Sequence, residues 1–273
     1  MDRPTARGVH LVVGGYPPGS TAGHDMAFAR RRLLELIDEI DHTQPTISSD
    51  FGDVENWLGT TELLVTYTSG PFPASAQAAA IDQWIDAGGR WLALHGSSGG
   101  KAVSVDGDRR RRAMVRLDHH DTLGAFFLNH PPIRQFTVDV AAEHPITAGL
   151  GPSFETADEL YFIEVLDPDA LVLLSTHLPQ DPDPLFGFEV AVDTSLRADG
   201  SRVLGLVRSQ GRGSVAYIAL GHTHSPATNS QPFVDASVDD DGTTPQTFRG
   251  SWATDGFTTL IRNGIIWGLH HDD

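Results

Sequence analysis

The stretch Arg90-Trp91-Leu92-Ala93-Leu94-His95-Gly96-Ser97-Ser98-Gly99-Gly100 places the tightest limit on how this chain can fold. Trp91 to Leu94 is an apolar run long enough for one strand and too short for a helix. It stops at a histidine followed by glycines and serines. A strand buried on both faces of a parallel sheet reads as such an unbroken run between turn signals. In open α/β sheets the chemistry gathers just beyond the carboxyl ends of the strands, and His95 is the first residue past this one. Gly96 lets the backbone turn sharply there, because it has no Cβ to clash. The competing reading is a core histidine that happens to end a strand; the strand-end rule favours the functional one.

The flanking sequence repeats the pattern. Val9 to Val13 predicts a first strand, with Gly14-Gly15-Tyr16-Pro17-Pro18-Gly19 as the loop after it. Asp25 is a candidate N-cap for a helix whose apolar residues Met26, Ala29, Leu33, Leu36, Ile37 and Ile40 recur at helical spacing. His24 therefore falls on the same rim as His95. Leu63 to Tyr67 predicts a strand, and Ser75 to Ala87 a helix stopped by Gly88-Gly89. Strand and helix in alternation predict a parallel sheet with crossover helices. The expected whole is a single domain over 1–273.

Beyond Gly100 the pattern loosens. Arg109 to Arg112, with Arg116, reads as a solvated helix face, and holding an anion is the lesser alternative. Ile133 to Val140, Leu171 to Ser175, Val203 to Val207 and Ser214 to Leu220 predict strands, and Phe257 to Leu269 a closing helix. Glu143 to Thr147 reads as a turn, with His144 part of it, and His119-His120 and His270-His271 read as surface. Ser230 to Ser251, rich in Asp, Thr, Gly, Pro and Ser, reads as a long surface loop. The last strand ends in Gly221-His222-Thr223-His224, which repeats the arrangement at His95.

Composition removes several classes of function. With 273 residues, 40% of them hydrophobic, the chain can bury a full core. A formal net charge of -17 repels phosphate backbones and argues against nucleic acid as a partner. No stretch approaches the roughly 20 apolar residues of a membrane span, and a cytoplasmic location is expected. The absence of cysteine excludes disulfides, thiolate metal sites and a cysteine nucleophile.

Several segments occur in an order that resembles a known family. They are Trp91 to Gly96, Leu123-Gly124-Ala125-Phe126 with His130-Pro131, His144-Pro145-Ile146-Thr147, Asp158-Glu159-Leu160-Tyr161, and Gly211-Arg212-Gly213 leading to Gly221-His222. Together they resemble the trehalose-utilisation, ThuA-like family, over most of the chain. The resemblance implies a flavodoxin-like three-layer α/β sandwich with a mainly parallel central sheet, related to class I glutamine amidotransferases. It also implies carbohydrate metabolism, with oxidised (3-keto) sugars as candidate substrates. Those amidotransferases carry a cysteine at a strand-to-helix elbow and a histidine after a later strand. Here His95 stands at or next to the elbow and His222 resembles the later histidine. Without a thiol, glutamine hydrolysis through an acyl-enzyme is not available, and Ser97 and Ser98 lie in no G-x-S-x-G pattern that would replace it.

The candidate catalytic residues are His95 and His222, since imidazole titrates near working pH and suits proton transfer beside a carbonyl. His24, His130, Asp158 and Glu159 are the candidate substrate-binding residues. The same donor types suit a divalent metal, so the cofactor stays open. For Asp158-Glu159 the alternative is a turn with solvated carboxylates, and for His130 a loop cap. Three functions remain: a sugar-active enzyme, a non-catalytic sugar-binding or regulatory module, and a structural subunit. The expected partner is a small-molecule sugar, with homo-oligomerisation left open.

Overall fold

The computed structural model describes residues 6–14, 23–183, 187–189 and 199–269, without the Arg110 side chain. Part of the expected loop at 14–19, most of Arg110 and the pair His270-His271 lie outside these residues. The first half alternates as expected. It runs β1 (Arg7–Gly14), α1 (Met26–Asp38), β2 (Thr43–Ser48), α2 (Val54–Leu58), β3 (Leu63–Thr68), α3 (Ser75–Asp86) and β4 (Arg90–Leu94). Of these, β2 and α2 are a further strand and short helix that the sequence analysis does not predict. Every residue of β3 is buried, as an unbroken apolar strand between two layers must be. The Asp25 side chain accepts the Phe28 N–H at 3.1 Å and so caps α1.

After β4 come β5 (Lys101–Val105), β6 (Asp108–Val115), α4 (His119–Leu123), β7 (Ala125–Asn129), β8 (Arg134–Val140), β9 (Ser153–Asp158) and β10 (Phe162–Val165). The chain closes with β11 (Leu171–His177), β12 (Ser201–Gln210), β13 (Gly213–Ile218) and α5 (Asp255–Leu269). The nine-stranded sheet has the order β2-β1-β3-β4-β13-β12-β11-β8-β9. The five strands β2, β1, β3, β4 and β13 are mutually parallel, in the doubly wound flavodoxin-like order, and the rest add antiparallel. Helix α5 lies tightly over this parallel half. A Cβ on Gly268 would stand 2.4 Å from Leu63 Cδ1, so only glycine permits that approach.

Two expectations need correction and a third needs refinement. The Arg109–Arg112 run is not a helix face but part of β6, paired antiparallel with β5 in a hairpin. Both faces of this ribbon are largely polar, so no two-residue alternation betrayed it. Residues 230–249 form the expected irregular loop, exposed or half-buried at most positions, but it is anchored to the body of the protein. Val234 and Phe248 pack with Ile133 in a small core of their own, and Phe248 exchanges backbone hydrogen bonds with His224. Finally, His119 and His120 are buried in α4 rather than on the surface. No helix among the described residues is long and apolar enough to cross a membrane.

Candidate functional site

The parallel strand order puts the ends of β4 and β13 side by side, and His95 and His222 follow those two ends. His95 opens the turn after β4 with φ of 45°, a left-handed conformation costly for a residue with a Cβ. Gly96 makes the turn possible, because a Cβ there would lie 2.3 Å from the Thr68 carbonyl oxygen. The adjoining serines are engaged elsewhere. Ser97 Oγ pairs with Thr66 and Ser98 Oγ with the Tyr217 hydroxyl at 2.6 Å, and neither bonds a histidine ring. The elbow thus presents an imidazole and no activated serine.

Four side chains from four separate segments meet at this rim. His95 Nε2 lies 3.0 Å from His24 Nε2 and 3.3 Å from Glu159 Oε2, while His222 Nδ1 lies 3.2 Å from the same oxygen. His24 Nε2 is 3.9 Å from it. All four residues are buried. The alternative of a solvated turn at Asp158-Glu159 therefore fails for both carboxylates, since both are buried. Burial would raise Glu159, but the charges of His222 and His130 and hydrogen bonds from His222 and His95 outweigh it and hold its carboxyl well below the usual range. Burial works against charge on His95 as well; its contacts with Glu159 and the nearby Asp158 outweigh that and raise its pKa.

Asp158, the last residue of β9, does not line the cavity. Its carboxylate accepts the backbone N–H groups of Gly221 at 2.8 Å, His222 at 2.9 Å and Glu159 at 2.8 Å, and the Ser251 hydroxyl. Sequence reading assigned it to substrate; its position suits it to holding the His222 turn against Glu159. Burial raises its pKa against the pull of His95, Ser251 and His222.

The ring protons are set by backbone carbonyls, which can only accept. Ala219 O, 2.8 Å from His95 Nδ1, fixes one proton there, so the neutral ring carries its lone pair on Nε2 and the charged ring a second proton. Pro245 O, 2.8 Å from His224 Nε2, does the same for His224. His224 Nδ1 then accepts from His222 Nε2 at 3.0 Å, which leaves a lone pair on His222 Nδ1. That buried nitrogen has no hydrogen-bond partner: it is near Glu159 Oε2 but not aligned with it. His24, His95, His222 and Glu159 offer donor atoms all within 4.8 Å of one another, a set of the kind that holds a divalent ion.

A cavity of about 390 Å³ opens over the cluster. His24, Glu159 and His130 line it, with an aromatic wall of Phe127, Tyr161 and Phe188. Tyr161 stacks on His95 with ring centroids 4.2 Å apart. His130, half-way exposed at the mouth, gives its Nδ1 proton to Pro131 O at 2.8 Å and turns Nε2 to within 3.8 Å of Glu159 Oε1. Four further contributors carry no such role in the sequence analysis. Gln231 donates to Glu159 Oε1 from the 230–251 segment. Arg112 lies over the Phe188 ring at the rim, and His119 and His120 brace the elbow from behind. A polar residue in a polar stretch sends no signal of such a role.

Comparison with known proteins agrees with this architecture. A family model described as trehalose utilisation matches residues 21–236. No curated protein matches. Among solved structures, a ThuA-like protein from Bacteroides uniformis ATCC 8492 superposes with a TM-score of 0.62 at 19% identity, covering 100% of this chain and 95% of that one. A ThuA-like protein from Parabacteroides merdae ATCC 43184 gives 0.57 at 12% identity, with 97% and 90% covered. A β-galactosidase from Rahnella sp. R3 gives 0.52 at 12% identity, covering 79% of this chain and 29% of that one, a likeness of fold alone. With a family model spanning most of its length, and with the fold that its motifs imply, the chain belongs to the ThuA family of trehalose utilisation.

Proposed function

We propose that this chain is a sugar-active enzyme whose substrate is a keto-sugar, with no glutaminase activity. The observation that carries the reading is the convergence of His95 and His222 on Glu159 beneath an aromatic-walled cavity. A ring carbonyl acidifies the C–H bond beside it, and imidazole and carboxylate groups suit the movement of that proton. Phe127, Tyr161 and Phe188 supply flat apolar faces for the C–H face of a sugar, while His24, Glu159 and His130 meet its polar edge. The family's connection with trehalose utilisation supports a sugar as the substrate class.

The test is turnover of 3-keto derivatives of glucosides and trehalose by the full chain. His95→Ala and His222→Ala should each lower kcat by about 10²–10⁴ while substrate still shifts the melting temperature. Full activity in both variants would make the pair structural. Sugar binding without turnover by the unmodified chain would make the protein a binding module instead.

A further inference from the structure

We propose that His24, His95, Glu159 and His222 form a binding site for one divalent transition-metal ion of the zinc type. The inference stands on the geometry of the cluster and does not need the substrate to be a sugar. In their neutral forms the rings of His95 and His222, each with one proton held by a backbone carbonyl or a neighbouring ring, turn the lone pairs of His95 Nε2 and His222 Nδ1 into a buried space shared with a carboxylate, where an ion can take the place of a second proton. His222 Nδ1 is fully buried and lacks a hydrogen-bond partner. A buried polar atom left so is costly, and a cation is the partner that an imidazole lone pair and a carboxylate oxygen can share.

The spacing agrees. Donors held 2.0–2.1 Å from a tetrahedral ion stand about 3.4 Å apart. The cluster offers 3.0 Å between His24 and His95, 3.3 Å between His95 and Glu159, 3.2 Å between His222 and Glu159, and 3.9 Å between His24 and Glu159. Two of the rings already have outer supports of the kind that fix ligand histidines: Ala219 O behind His95, and His224 with Pro245 O behind His222. Imidazole with one carboxylate suits zinc and its first-row neighbours better than magnesium or calcium, which prefer all-oxygen shells.

Roles within the site then divide. An ion among these donors faces the cavity on the side of His24 and Glu159 and would polarise a substrate carbonyl. As the C–H bond beside it breaks, its electron pair moves toward the carbonyl oxygen and its proton passes to a base. His130 Nε2, at the mouth and outside the four donors, is the imidazole placed to take it.

The experiment is metal content and affinity without any substrate. Chelator-stripped full-length chain should take up one Zn²⁺ or Co²⁺ and retain it through gel filtration, and the Co²⁺ form should show visible d–d absorption. Glu159→Gln, nearly isosteric, and His222→Ala should each weaken binding by about 100-fold or more, and the outer support variant His224→Ala by about 10–100-fold. His177→Ala, exposed and distant in the sheet, should leave it unchanged. Circular dichroism of each variant separates loss of fold from loss of ligand. No stoichiometric ion in the unmodified chain, or equal affinity in folded Glu159→Gln, overturns the site. A chain that holds the ion but converts no keto-sugar overturns only the substrate reading. Undiminished turnover by fully stripped chain overturns the ion's part in the reaction, while uptake and affinity alone decide the binding site.

Discussion

Two groups of histidines are buried side by side in this molecule, and they differ in what their nitrogens face. His119 and His120 sit on α4, their rings tilted against each other with centroids 4.0 Å apart, and are as hidden from solvent as His95 and His222. His120 Nε2 donates to Ser98 O and Gly99 O, both at 3.0 Å, and its Nδ1 accepts the Leu117 N–H at 2.8 Å. His119 Nε2 bonds Ser97 O at 3.3 Å, and its ring stacks on Phe72. His120 thus faces backbone through both nitrogens and His119 through Nε2, while His119 Nδ1 has no hydrogen-bond partner and lies by an aromatic ring and not a carboxylate. In the rim group the free lone pairs face a carboxylate and other imidazoles. Burial of a histidine therefore says little about function; the partner decides. The two groups also cooperate, because the carbonyls that α4 holds belong to the turn that carries His95.

The comparison can be broken first at Asp158, which fixes the rim group from below. Asp158→Ala strands the buried N–H groups of Gly221 and His222, each at about 1–3 kcal/mol, so a loss of roughly 3–5 kcal/mol is expected by urea denaturation. A loss below 1 kcal/mol would mean that the His222 turn holds itself. Next comes the bracing group. His120→Leu keeps the apolar bulk but leaves three backbone groups without a partner, and should cost about 2–4 kcal/mol. If the braces matter to the site, this variant should also lower kcat for a keto-sugar in protein that is fully folded.

The smallest effect is in pH. Burial, helped by the neighbouring His120, pushes the His119 pKa down to about 3 from an unfolded value near 6.5. Between those values the unfolded chain binds the proton and the folded chain does not. The contribution of His119 to stability is thus complete above about pH 6.5 and is lost as pH falls below it, at about 1.4 kcal/mol per unit. The unmodified chain should lose about 2 kcal/mol more between pH 6.5 and pH 5 than His119→Phe does. Equal slopes for the two proteins would show that His119 is not held neutral by its burial.

The legibility of the site in the sequence follows the same division. His95, His222 and His24 could be found because each stands just after an apolar strand or in the loop that follows one, and a parallel sheet gathers those ends on one rim. Glu159 is legible as a type of residue but not as a buried one, since its burial depends on His24, His95 and His222, which lie far from it in sequence. His119 and His120 were misread because a pair of polar residues in a five-residue helix produces no apolar period. The β5–β6 hairpin escaped for the converse reason, four consecutive arginines masking a strand. Gln231 could not be read at all, because nothing local distinguishes it from the other polar residues of its segment.

The donors at the rim come from four stretches of chain, and His24 and His95 alone are 71 residues apart. Bringing such distant segments together costs loop-closure entropy that local structure does not offset until the sheet is complete. The constellation is therefore a late product of folding and a reporter of it. Any molecule that touches all four segments binds the native chain and not the unfolded one, and at 100 times its Kd it adds about 2.7 kcal/mol of stability by mass action alone. Supply of that molecule in the cell would then govern how much of the protein survives proteolysis, so abundance would follow the availability of what the site recognises.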